Sequence, residues 1–390
     1  MSANARRLVA SKAASGLGDL LCSAKTTLPW LMLSAGAPAG LVGLLVPVRE
    51  SGSMLPQVFI APWVARVEPR KKAAIAGLLA QAAAVLAVSS VFLIRDAQRI
   101  GVVVIVALAA LSVARAFTSL ANKDVLARAV PKGQRGKVGG RATSIAGLIG
   151  LSGAAATLLW DRPESVGVLV LVVGAAAAAF TISASLLSGV DERDEATAAK
   201  PRPSLTRALF DPRLRRFLAV RLLLAGAALG GPFIVAMGRA QSPSLRTLSA
   251  FVLGGAAASF VSAGSWGKLA DASGRGCMAA GGALAALTAG GVLLLARTGS
   301  GISGWLWGAV YFLFSVGYVG VRVGRKTYIV DLAQGGERTQ FVATSNTAVS
   351  LGLLVIGAGM AMLGSASAAV GVCAALCAAG ALLCAALRRA

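Results

Sequence analysis

Residues 339–387 read TQFVATSNTAVSLGLLVIGAGMAMLGSASAAVGVCAALCAAGALLCAAL, 49 positions without a charge. A helix rises 1.5 Å per residue and needs about 20 apolar residues to cross a bilayer. The stretch therefore predicts two crossings, divided at the small polar cluster Gly364-Ser365-Ala366-Ser367. Ten further charge-free runs precede it: 26–48, 51–65, 73–94, 100–114, 142–160, 165–190, 222–238, 247–267, 276–296 and 298–321. Twelve crossings are expected; run 51–65 is short and opens on polar residues.

Composition agrees. Of 390 residues, 56% are hydrophobic and 14% charged, with a mean hydropathy of +0.76. A soluble domain carries about 25% charge, so a water-soluble fold is excluded. Backbone groups in lipid must be satisfied internally, which leaves helices or a closed barrel. Barrel strands show roughly ten-residue segments of alternating polarity, and these runs are longer and apolar all round. The fold class expected is an all-α integral membrane protein, its Gly and Ala suited to close helix packing. There is no histidine, which removes the commonest metal ligand and the usual base near neutral pH. Cys22, Cys277, Cys373, Cys377 and Cys384 read as small hydrophobes, because the one-turn pair Cys373/Cys377 has no second pair to complete a metal site. No cofactor is expected.

The formal charge of +23 is explained by where the basic residues lie. With the N-terminus inside, the inner segments hold 28 Lys and Arg and the outer loops 7, a strong positive-inside bias. Basic loops held against an anionic leaflet account for the charge, and no nucleic-acid partner is expected, since no binding motif or stacking platform accompanies them. The first run is too long for a signal peptide core. Residues 1–25 are expected to be a cytoplasmic tail and 388–390 a cytoplasmic C-terminus.

The chain also repeats itself. At an offset of 203, Trp63 meets Trp266, Glu68 meets Asp271 and Lys72 meets Arg275. At the same offset Ser112-Val113 meets Ser315-Val316, Lys123 meets Lys326 and Arg135 meets Arg338. Two six-helix halves in the same orientation are expected, 26–190 and 217–387, joined by a polar cytoplasmic linker at 191–216.

Residues 267–275, GKLADASGR, resemble the loop between the second and third helices of a half in the major facilitator superfamily, roughly G-x-L-x-D-x-x-G-R. Gly267, Leu269, Asp271, Gly274 and Arg275 match, while Ala272 replaces the usual arginine. The first-half copy departs further, with Val64, Glu68 and Lys71 at its glycine, acid and second glycine. The resemblance covers essentially the whole chain and implies a 6+6 helical bundle, a monomer, that carries a small solute across the inner membrane by rocker-switch alternating access. It also implies a gate in these loops: Gly267, Asp271, Gly274 and Arg275, with Glu68 and Lys72 in the first copy. Asp331 is the expected partner of Arg275. A short structural turn is the plainer reading of the same residues.

Within the runs, Tyr311, Ser315, Tyr318 and Arg322 recur at spacings of four, three and four and share a helical face. Tyr311, Ser315 and Tyr318 are substrate-binding candidates, with helix packing as the alternative. Asn346 is one of few side-chain amides in the runs, suited to a ligand or to an interhelical hydrogen bond. Arg115, Arg221 and Arg322 are the charges within the spans, each about two turns or less from a cytoplasmic end. Intramembrane arginines without buried acids favour an anionic solute, and snorkelling to the interface is the competing reading. Arg115, set deepest, is the substrate candidate. Glu50 is the candidate for a coupling proton, against a plain outer-loop pair with Arg49. A Walker-type G-x-x-x-x-G-K-[ST] is missing from the sequence, and no catalytic constellation stands out, so an enzyme is not expected. The alternative function is a non-transporting membrane assembly or scaffold protein that keeps this fold.

Overall fold

The computed structural model describes residues 2–64, 66–131, 134–158, 165–192, 210–297, 303–332 and 337–387. They form helices α1 (Ala3–Leu21), α2 (Thr27–Ser34), α3 (Val42–Met54), α4 (Gln57–Val64), α5 (Arg70–Ser89), α6 (Ala97–Ala129), α7 (Arg135–Leu158) and α8 (Val166–Ser188). The second series is α9 (Pro212–Leu223), α10 (Gly226–Gln241), α11 (Leu245–Ala272), α12 (Gly274–Arg297), α13 (Gly304–Leu332), α14 (Glu337–Ala361) and α15 (Ala366–Leu383). No strand occurs among the described residues. Among the described residues, nine segments are long and apolar enough to cross a membrane, with α9 and α10 counted as one. The pairs α1–α2 and α3–α4, together with α7, supply three more of crossing length, which makes twelve.

The first two crossings differ from the expectation. Residues 1–25 are not a tail, since α1 occupies Ala3–Leu21 and packs along α8. The first turn lies at Ala35–Pro38, where Gly36 takes a φ of +83°, a conformation open to glycine at no steric cost. Arg49 and Glu50 therefore sit within α3 and not in an outer loop. A charge-free run cannot reveal α1, because its polar groups are satisfied by neighbours rather than absent. Ser11 Oγ donates to Ser183 O at 2.9 Å, Asn4 Nδ2 to Asp191 O at 3.0 Å, and Arg7 to the Gly189 carbonyl.

Two compact units result. The first is Met1–Pro38, Val48–Gly153 and Ser165–Lys200; the second is Ala39–Pro47, Ala154–Glu164 and Pro201–Ala390. In the first, α5 packs on α6 and α8. Gln81 bonds Thr118 at 2.9 Å across the α5–α6 seam. Gly16 and Gly150 let α1 and α7 approach closely, with Ala146 and Leu20 as the facing side chains. In the second unit α13 packs on α11 and α12. The α12–α13 crossing is backbone on backbone. A Cβ at Gly281 would lie 2.6 Å from Val321 N, and one at Gly317 would lie 2.7 Å from Ala285 N. Small residues permit this approach, and dispersion rather than a hydrophobic drive holds helices together in lipid. Most of the expected linker, 193–209, and the C-terminal residues 388–390 lie outside the described residues.

Candidate functional site

The three in-span arginines lie in helices, Arg115 in α6, Arg322 in α13 and Arg221 in the last turn of α9. α6 continues 14 residues past Arg115, about 21 Å. Arg115 turns to Asp19 of α1, a residue the sequence reading assigned to the tail. Arg49 Nη2 donates to Asp19 Oδ1 at 2.6 Å, and Arg115 Nη1 donates to the same oxygen. Side-chain exposure is 22% for Asp19, 15% for Arg49 and 38% for Arg115. Three helices thus bring one carboxylate and two guanidiniums together in the interior of their spans. Glu50 and Cys22 lie within electrostatic range of both arginines. A signal for Asp19 was present. It is the only charge between Ala13 and Ala24, and it follows Ser11 and Ser15 at four-residue steps.

A second charge cluster ties the end of the first unit. Glu68 accepts from Arg128 at 2.9 and 3.1 Å and pairs with Arg70 at 3.3 Å. Arg70 also approaches Asp124 at 3.6 Å, and Arg128 approaches Glu192 at 3.8 Å. Glu192 accepts the backbone N–H groups of Arg70 and Lys71, the unsatisfied donors at the start of α5, where a negative charge is also favoured by the helix dipole. The bidentate bond from Arg128 holds the Glu68 carboxyl below its ordinary value, with Arg70 adding to it. Lys72, expected in this gate, takes part in no ion pair among the described residues.

The second copy of the loop is built differently. Asp271 is exposed in the last turn of α11, and Gly267 faces open space. Gly274 is where α12 meets α13, since a Cβ there would lie 2.9 Å from Tyr328 N. Arg275 Nη1 donates to the Leu387 carbonyl at 2.9 Å, and no ion pair joins it to the exposed Asp331. The repeat supplies the reason. The 203-residue offset carries Arg128 onto Asp331 and Arg70 onto Ser273, so the partners of the first-half acid are absent from the second half. A cavity of about 290 Å³ opens nearby, lined by Asp211, Pro212, Arg213, Arg216, Tyr328, Leu332 and Leu387.

Tyr311 and Ser315 are buried, at 4% and 9% exposure. Tyr311 meets Phe251 of α11 edge-on at 5.2 Å, and Ser315 lies within hydrogen-bonding range of its hydroxyl. The structure thus places Tyr311 in the packing of α11 on α13, not on an open face. Tyr318 is half-buried beneath the Arg322 guanidinium, 5.8 Å from its ring centre, a cation–π distance. Asn346 accepts from Arg221 Nη2 at 3.0 Å, and the fully buried Ser345 accepts from Nη1. The sequence reading named both Asn346 and Arg221 but did not pair them, because 125 residues separate them in the chain.

These features define a multi-spanning membrane protein with ionised groups held inside its helices. The chain belongs to the Major Facilitator Superfamily, whose family model matches residues 23–357. Its fold is similar to that of the nucleoside transporter NupG, with a TM-score of 0.75 at 12% identity over 98% of this chain and 100% of that one. A bacterial homologue of the iron transporter ferroportin, in its inward-facing state, gives 0.71 at 16% identity over 99% of each chain. A D-xylose-proton symporter gives 0.71 at 10% identity, over 97% and 96%. No curated protein matches the chain in sequence.

Proposed function

We propose that this protein is a secondary transporter that moves a small solute across the inner membrane by alternating access, with both termini cytoplasmic. Family membership supports transport over a scaffold role. The observation that carries the site is the trio Asp19, Arg49 and Arg115, ionised groups that are costly inside a membrane and are retained where they do work. Arg115 is the solute-contacting residue, being the most exposed of the three. Asn346 with Arg221 and Ser345 forms a second polar site in the other unit, and Tyr318 is the tyrosine of α13 still half open to a ligand. Glu50, beside Arg49 in α3, is assigned to a coupling proton. The loop at 267–275 and its copy at Glu68 serve as gate elements, and the protein works as a monomer.

Counterflow in proteoliposomes, screened with labelled sugars, nucleosides, peptides and organic acids, tests the reading. Exchange of at least one class, abolished by Arg115→Gln, is the expected result. A scaffold would exchange none. Glu50→Gln should flatten the dependence of uptake on an imposed pH gradient, and a gradient response equal to the parent's removes Glu50 from coupling.

A further inference from the structure

Two guanidiniums share one oxygen of one carboxylate. Both described contacts of the Asp19 side chain use Oδ1, from Arg49 at 2.6 Å and from Arg115. Each arginine thus binds through a single nitrogen, although a guanidinium is a fork that matches a carboxylate through two parallel bonds. The trio also carries a net single positive charge. We infer that the transported solute bears one carboxylate, which binds by taking Arg115 from Asp19. This inference rests on the transport reading above and names the solute class for the same site.

Three observations support the exchange. The slot between the forks already holds a carboxylate oxygen, so a solute carboxylate is isosteric with its occupant. Arg115 is 38% exposed and Arg49 15%, so Arg115 is the less enclosed fork and the one to be released. Asp19 is also held by Arg49 at 2.6 Å, so releasing Arg115 to the solute leaves neither carboxylate without a cation, the arrangement most costly in a low-dielectric interior. After the exchange Arg49, Arg115, Asp19 and the solute make two cations and two anions, before Glu50 is counted. Glu50, the other acid within range of both arginines, opposes further negative charge. A monoanion therefore fits better than a dianion such as phosphate. Cys22, also in range, is buried one turn beyond Asp19 and stays a neutral thiol in this scheme.

The test uses the full-length protein in lipid nanodiscs and the arginine-selective dicarbonyl phenylglyoxal, with modification of Arg115 followed by mass spectrometry. Lactate and acetate should slow the modification, about fivefold at four times the dissociation constant, while lactamide and acetamide leave it unchanged. Asp19→Asn removes the internal competitor and should tighten lactate protection about tenfold, a change that a merely structural aspartate would not produce. Glu50→Gln should tighten protection as well. Equal protection by acid and amide, protection by phosphate and not by carboxylates, or no protection by any probe would each overturn the inference. The counterflow screen separates the two ideas. A neutral solute exchanged normally by Arg115→Gln sinks the carboxylate inference and leaves transport standing, whereas no exchange of any solute sinks transport itself.

Discussion

Arg115, Arg221 and Arg322 read as in-span charges near a cytoplasmic end; Arg115 and Arg322 lie inside α6 and α13, and Arg221 lies in the last turn of α9. Hydropathy marks where a span is dry, not where its helix stops. Asp19 was overlooked for the same physical reason: a polar residue whose charge is matched by a neighbour does not need to leave the membrane, yet it interrupts the run by which a span is recognised. Asn346 was legible as an unusual amide, but its bond to Arg221 is a tertiary fact. Asn346→Ala removes the acceptor 3.0 Å from a buried guanidinium and should cost about 1–3 kcal/mol, read as a lower midpoint of thermal unfolding in nanodiscs. Glu68 gives a pH test. Its carboxyl is held below the ordinary 4.5 by Arg128, so its contribution is full above that value and is lost as pH falls through the lowered one. The stability deficit of Glu68→Gln should stay constant from neutral pH down to about 5 and shrink below it. A deficit unchanged at lower pH would mean that the Glu68–Arg128 pair contributes nothing.

At the level of elements, eleven of the twelve spans were visible as runs with centres within about half a span, and the first was displaced by most of a span, its run straddling the turn at Ala35–Pro38. The helix pairs could not be read, because any two apolar helices fit equally well in lipid. What chooses them is small-residue spacing. Gly274 and Gly281 on α12 stand seven residues apart, as do Gly317 and Gly324 on α13, and a Cβ at any of them would meet the partner backbone within 3.0 Å. Gly281→Ala should therefore destabilise by about 1–3 kcal/mol, since backbone cannot yield as a side chain does. Gly290→Ala, on the same helix with nothing within 4 Å, should instead stabilise by up to about 1 kcal/mol through helix propensity. Unfolding of the two variants in parallel checks the sign, and equal effects would mean that the α12–α13 crossing is loose.

For the whole molecule, an even number of spans sends the chain back to the side it started from. Reporters fused to the two ends should be active on the same side of the membrane, and opposite responses would break the twelve-span count. The repeat was legible in the sequence, but it did not show that its two copies secure the same loop by different means. The first uses a lattice of Glu68, Arg70, Asp124, Arg128 and Glu192. The second uses the contact of Gly274 with the backbone at Tyr328. These means respond differently to the surrounding electrolyte. Dissolved ions shrink the Debye length from about 8 Å in physiological saline to about 3 Å at 1 M, and Glu68 and Asp124 are 54% and 41% exposed to them. Contact between uncharged backbones has no such dependence. A rise in ionic strength therefore loosens the loop of the first half and leaves that of the second as it was, so salt alone makes two related halves mechanically unequal.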